Sequence, residues 1–196
     1  MPRKPNLWFP GAKYHIINRG IRRNPLFEDD DDYYQYLSLL TEAKGKFPFS
    51  IQSYCLMTNH THIQIQTIDT SPDKFMHFLN LRYAKYFNKK YSYTGHVFEK
   101  RYAYELVDSI EYEIELSKYI HLNPLKAGIV HKLEDYPWSS YRAYSLYEKN
   151  DLVSNETILS YFHDPKSLHY DQYMKAENIT SVLKNLNLNL VGNPPL

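Results

Sequence analysis

Residues 51–67 read IQSYCLMTNHTHIQIQT, and this run decides the fold class. Ile51–Leu56 is a short apolar strand, and Thr58-Asn59 is a polar pair suited to a tight turn into the next strand. From Thr61 to Thr67 the residues alternate. Successive side chains of a strand point to opposite sides of its sheet. His60, His62, Gln64 and Gln66 therefore share one face, and Thr61, Ile63 and Ile65 share the other. One face is polar and the other is made for burial.

Upstream, Lys13–Arg19 (KYHIINR) reads as a strand that Gly20 ends. Asp29 to Asp32 place negative charge where a helix N-terminus favours it. Tyr33, Tyr36, Leu37, Leu40 and Ala43 follow at helical spacing, and Pro48 marks the exit. Downstream, Pro72 suits the first turn of a helix running to about Lys90, and Tyr102–Val107 is a further strand. Asp108 or Ser109 can cap a helix reaching Asn123, where Pro124 breaks the pattern. This order predicts an α+β domain over residues 1–146, an antiparallel sheet with helices packed on one face in a ferredoxin-like plan. Residues 147–196 read as a C-terminal helical appendage carrying Ile158, Leu159, Phe162 and Tyr173, with an end from Asn185 to Leu196 expected to fray.

The 196 residues are 43% hydrophobic, enough for a real core. A single cysteine, Cys55, excludes an internal disulfide and a cysteine metal cluster. The absence of a signal-like start or a long apolar run leads us to expect a soluble cytoplasmic protein. The 20 tyrosines supply rings that pack or stack and hydroxyls that hydrogen-bond, as wet binding grooves require. Net charge is only +1, but it is segregated. Arg3, Lys4, Lys13, Arg19, Arg22 and Arg23 precede Glu28 with no acid among them. Arg82, Lys85, Lys89, Lys90, Lys100 and Arg101 follow against Glu99 alone. Acids pool at Glu28 to Asp32 and Glu105 to Glu115. A neutral total can thus hide a positive, phosphate-binding surface made by Arg19, Arg22, Arg23, Arg82, Lys85, Lys89, Lys100 and Arg101.

Two constellations carry chemistry. His60 and His62 point the same way from one strand, which suits a divalent cation needing ligands fixed in space. Tyr119 and Asn123 lie four residues apart on one helix, so they share a face. If that face looks at the histidines, Asn123 supplies a third, hard ligand and Tyr119 reaches whatever the metal polarises.

Six blocks complete the picture. They are Tyr14–Gly20 (YHIINRG), Tyr54–His62 (YCLMTNHTH), Arg82–Asn88 (RYAKYFN), Thr94–Tyr102 (TGHVFEKRY), Tyr119–Val130 (YIHLNPLKAGIV) and Tyr136–Tyr141 (YPWSSY). In this order they resemble the REP-associated tyrosine transposases, within the single-tyrosine HUH (IS200-like) transposases, from about Trp8 to Tyr144. The resemblance implies an HUH-type endonuclease fold and a metal-dependent single-stranded DNA endonuclease and strand transferase. It gives His60, His62 and Asn123 the metal-ligand roles, Mg²⁺ or Mn²⁺ the cofactor role, and Tyr119 the role of nucleophile in a 5′-phosphotyrosine intermediate. It also implies single-stranded or hairpin DNA as partner and a monomer rather than a dimer. Thr61 stands where the family has an aliphatic residue between the histidines, and Thr58 where it usually has proline. Neither change removes a ligand. Glu115, one turn before Tyr119, is left without a role. The alternatives are a domesticated, non-mobilising hairpin-binding protein and a small-molecule metal hydrolase; the second leaves Tyr119 and the basic segments unexplained.

Overall fold

The computed structural model describes residues 8–176. Strands β1 (Lys13–Arg19), β2 (Phe49–Met57), β3 (His60–Thr67) and β4 (Ala103–Val107) form one sheet. Their order is β2-β3-β1-β4 and every pair is antiparallel. Helices α1 (Asp30–Lys46), α2 (Pro72–Lys90) and α3 (Ile110–Lys126) alternate with them, and α4 (Tyr141–Ser145), α5 (Glu156–Leu159) and α6 (Lys166–Lys175) follow. This is the expected α+β, ferredoxin-like arrangement. The N-terminal Arg3 and Lys4 and the end expected to fray lie outside the described residues.

The apolar face of the sheet receives α1 and α2. Tyr14, Ile16, Ile63 and Ile65 are fully buried there with Tyr36, Leu40, Leu79 and Tyr83 of the two helices. Asn18 joins both, its Nδ2 donating to Asn80 Oδ1 at 2.9 Å and to Tyr36 Oη at 3.3 Å. The acids at 29–32 build a capping box, in which Asp29 and Asp32 satisfy each other's backbone N–H groups.

The polar face is covered too, by α3. Its anchor is the buried Glu113, which accepts from Lys13 Nζ (2.6 Å), Gln52 Nε2 (2.6 Å) and the Tyr161 hydroxyl (2.9 Å). Gln64 Nε2 donates to the Glu113 carbonyl at 3.0 Å, and Ser53 donates to Gln64 Oε1 at 2.8 Å. Polar strand residues thus find partners on a helix, as burial of polar groups demands. The expected packing on one face thus holds for α1 and α2 only; α3 takes the other face, because the polar strand residues there need partners.

Pro124 does not end α3, contrary to the sequence reading. The helix runs on to Lys126. A proline in the last turn removes one N–H donor and leaves the following carbonyl bonds intact. The stop is Gly128, at φ +67°. Its N–H bonds to Leu125 O (3.0 Å) and that of Ile129 bonds to Pro124 O (3.0 Å), the paired closure of a glycine-terminated helix.

Past residue 146 the chain packs against the far side of α3. Ile114 of α3, Tyr141 and Tyr144 of α4, Ile158, Phe162, Tyr170 and Tyr173 form a second buried cluster. His121 of α3 bonds Tyr170 Oη (2.8 Å) and Ser140 Oγ (2.7 Å) inside it, and burial pushes its pKa down to about 3. Buried Lys118 donates to the carbonyls of Tyr173 (2.6 Å) and Ala176 (2.7 Å), tying the end of α6 to α3.

Candidate active site

The site forms where β1 ends and β3 begins. The register places Arg19 opposite His60, Ile17 opposite His62 and His15 opposite Gln64. His60 and His62 both lie on the α3 face, with ring centroids 5.0 Å apart and planes nearly perpendicular. Thr61 between them is fully buried on the other face. Tyr119 of α3 presents its ring edge-on to His62, centroids 5.3 Å apart, while remaining 44% exposed. Asn123 Nδ2 donates to the Tyr119 carbonyl at 2.8 Å, and the side chain lies near enough to His60 to raise that imidazole's pKa. His60, His62, Asn123 and Tyr119 therefore gather at one place.

The second nitrogens of the two imidazoles are occupied. His60 Nδ1 lies 2.7 Å from Asn59 Oδ1, and His62 Nδ1 lies 2.8 Å from Nε2 of His15. The donor set left over is imidazole nitrogen and one amide oxygen, which fits a hard to borderline divalent cation. Among the described residues no three His, Cys, Asp or Glu side chains group as a metal site, so the set depends on the Asn123 amide. Burial, then His15, His60 and Arg19, push His62 down to about 2; burial, opposed by Glu105, takes His15 to about 4. His60 is lowered by burial and Arg19 against the Asn123 bond. The imidazoles are thus neutral at neutral pH, the form that ligates metals.

His15 is the participant that the sequence reading missed. It is 4% exposed, stacks against His62 with centroids 5.0 Å apart, and places Nδ1 4.0 Å from Glu105 Oε2. Beside it a cavity of about 440 Å³ opens next to Tyr119, lined also by Tyr112, Glu115 and Lys126. Lys126 Nζ lies 5.9 Å from the centre of the Tyr119 ring. Glu115 is held above its ordinary pKa by burial and by Glu111, opposed by Lys118. Tyr112 donates to Glu105 (3.1 Å), and burial with that carboxylate pushes its hydroxyl up to about 12.

The basic residues divide. Arg19 sits in register with His60, and Arg22 and Arg23 follow in two consecutive left-handed conformations (φ 51° and 63°). Asn59 Nδ2 holds the Arg23 carbonyl at 3.2 Å, so this segment lies against the turn that precedes His60. Gly20 makes the bend possible, since a Cβ there would meet Asn24 O at 2.1 Å. Gly20 also bridges Phe98, and Glu99 N–H bonds Arg19 O, bringing the chain leading to Lys100 and Arg101 to the same rim. Arg82, Lys85 and Lys89 are on α2, across the sheet from the histidines, and Arg82 is paired with Glu42 at 3.3 Å. The C-terminal end of α2 returns toward the rim, where Phe87, Tyr91 and Tyr93 line a cavity of about 190 Å³ with Ile21 and Pro25.

A family model of IS200-like transposases matches residues 9–123, a span that includes His60, His62, Tyr119 and Asn123. This chain belongs to the IS200-like transposase family. Membership places it among transposases. In fold the chain is similar to a REP-associated tyrosine transposase solved bound to a REP hairpin, with a TM-score of 0.64 and 15% identity over 79% of this chain and 94% of that one. A Deinococcus radiodurans protein assigned as a transposase is similar at a TM-score of 0.42 and 13% identity, over 69% of this chain and 98% of that one. No curated protein matches the chain. No helix among the described residues is long and apolar enough to cross a membrane.

Proposed function

We propose that this family member is a metal-dependent single-stranded DNA endonuclease and strand transferase with Tyr119 as its nucleophile. The observation that carries the reading is the meeting of Tyr119 and Asn123, from α3, with His60 and His62, from β3. His60, His62 and Asn123 would hold Mg²⁺ or Mn²⁺, and the bound ion would supply Lewis acidity to the scissile phosphate. A phenol is a weak nucleophile at neutral pH, so that help is needed. The Tyr119 oxygen bonds to phosphorus as the bond to the 3′ oxygen breaks. The phenolic proton is released and the departing 3′ oxygen takes one up. The products are a 5′-phosphotyrosine and a free 3′ hydroxyl, and attack by a 3′ hydroxyl reverses the step without ATP.

Single-stranded or hairpin DNA is the substrate, because a stiff duplex hides its bases and exposed rings can stack unpaired ones at about 1–3 kcal/mol each. Arg19, Arg22, Arg23, Lys100 and Arg101 take phosphates at the rim. Lys85 and Lys89 offer a second set of cations along α2, on the other side of the sheet, with Arg82 contributing least while Glu42 holds it. The protein acts as a cytoplasmic monomer in this reading.

The test is incubation with hairpin-bearing single-stranded oligonucleotides and Mn²⁺, followed by denaturing electrophoresis. Wild-type protein should carry a covalent DNA adduct, and His62→Ala should not. Tight hairpin binding with no adduct under any divalent ion would leave a non-mobilising binder instead.

A further inference from the structure

His62 can ligate through Nε2 only if its proton sits on Nδ1. That nitrogen faces a second imidazole, Nε2 of His15 at 2.8 Å. With both rings neutral the bridge holds one proton, and its location decides which His62 nitrogen is free. A proton on His15 Nε2 would leave His62 protonated on Nε2, with no lone pair for a metal. A proton on His62 Nδ1 would free that lone pair.

The other side of His15 settles the direction. Its Nδ1 lies 4.0 Å from a carboxylate oxygen of Glu105, the strand partner of His15 on β4. At this distance the contact is electrostatic rather than a hydrogen bond, and the negative carboxylate, which also accepts the Tyr112 hydroxyl at 3.1 Å, favours an N–H on the His15 nitrogen that faces it. His15 Nε2 is then a bare acceptor, and the shared proton belongs to His62. Neighbouring strands fix this geometry: His15 stands one residue pair diagonal to His62 on the same face.

We infer that His15 is a positioning residue that holds His62 in the Nδ1–H tautomer, with Glu105 setting the direction of the relay. The inference deepens the proposed ligand role of His62 and rests on it. Groups behind a ligating histidine orient the ring and fix its tautomer, and their loss typically costs 10–100-fold in metal affinity.

Two measurements test it. Long-range ¹H–¹⁵N spectra of metal-free wild-type protein should show His62 and His15 both protonated on Nδ1; a His62 protonated on Nε2 overturns the relay. Calorimetric titration with Mn²⁺ should show affinity falling about 10–100-fold in His15→Leu. His15→Gln, whose amide oxygen can take the place of Nε2 and accept the bond, should return to within a few-fold of wild type. Melting temperature and metal-free hairpin affinity serve as controls for a packing defect. Equal affinity in His15→Leu and wild type, or equal weakening in Leu and Gln variants, would reject the positioning role. Wild-type protein that binds no Mn²⁺ would overturn the ligand assignment, while the tautomer spectra would still decide the relay.

Discussion

Two tyrosines stand on α3 within reach of the candidate site, and their surroundings differ. Tyr112 spends its hydroxyl on Glu105, and its pKa is pushed up to about 12. Tyr119 meets the edge of His62, borders the open cavity and has Asn123 one turn downstream. Tyr119→Phe removes one oxygen and keeps the ring, so melting temperature and hairpin affinity should change little while the covalent adduct vanishes. Tyr112→Phe should keep adduct formation within a few-fold. Peptide mapping of the trapped adduct checks both, and an adduct on another tyrosine would move the nucleophile. The spacings that predicted these roles are local: two residues on a strand for His60 and His62, four on a helix for Tyr119 and Asn123. His15 was hidden for a related reason. Its partner is 47 positions away, and the pairing of β1 with β3 is not written in either strand alone. The KYHIINR alternation does put His15 and Ile17 on one face, and that signal acquires meaning only once the register is known.

At the scale of elements, the acidic run at 29–32 does more than complement a helix dipole. Asp32 is fully buried and accepts from the Glu28 N–H (2.8 Å), Lys90 (2.8 Å), Tyr86 (2.9 Å) and Tyr91 (2.8 Å). One carboxylate thus joins the start of α1 to the end of α2. Burial alone would raise its pKa, but the bonds from Lys90, Glu28, Tyr91 and Tyr86 outweigh it and the net shift is downward. A carboxyl lowered by folding contributes stability that is fully present above its unfolded value, near 4, and is lost as pH falls through the folded value. Asp32→Asn should cost about 1–3 kcal/mol at pH 7, because the Glu28 N–H and the Tyr86 and Tyr91 hydroxyls lose a buried ionised acceptor. Urea midpoints measured against pH should fall below about pH 4 in wild type and change less there in the variant. A cost below 1 kcal/mol would mean that Asp29 suffices to hold Lys90. The other end of an element shows where the sequence reading went astray. Pro124 is the louder signal and Gly128 the decisive one, since a helix can carry a proline in its last turn but needs a left-handed residue to close this way. Gly128→Ala should lower stability by about 1 kcal/mol in thermal melts.

At the scale of the molecule, a net charge of +1 conceals two cationic surfaces on different sides of one sheet. Their segregation was legible in the sequence; their separation was not, because only the packing of α2 on the apolar face places Lys85 and Lys89 away from His60. This separation gives the proposed DNA path a length. A short single strand that reaches only the active site should touch the rim made by Arg19, Arg22 and Arg23, whereas a hairpin with a flanking strand can span both surfaces. Removing one cation that neutralises a phosphate of a single strand flattens the dependence of log affinity on log salt by about 0.7. The double variant Arg22→Ala/Arg23→Ala should therefore flatten the slope by about 1.4 for short and hairpin substrates alike. The double variant Lys85→Ala/Lys89→Ala should do so for the hairpin and leave the short strand unaffected. Arg82→Ala should change little in either case, since Glu42 already holds that guanidinium at 3.3 Å. Salt titrations by fluorescence anisotropy, without divalent metal so that no strand is cut, supply these slopes. An unchanged hairpin slope in the α2 variant would confine the DNA path to the rim, and an unchanged slope in the Arg22/Arg23 variant would reduce both surfaces to solvated faces.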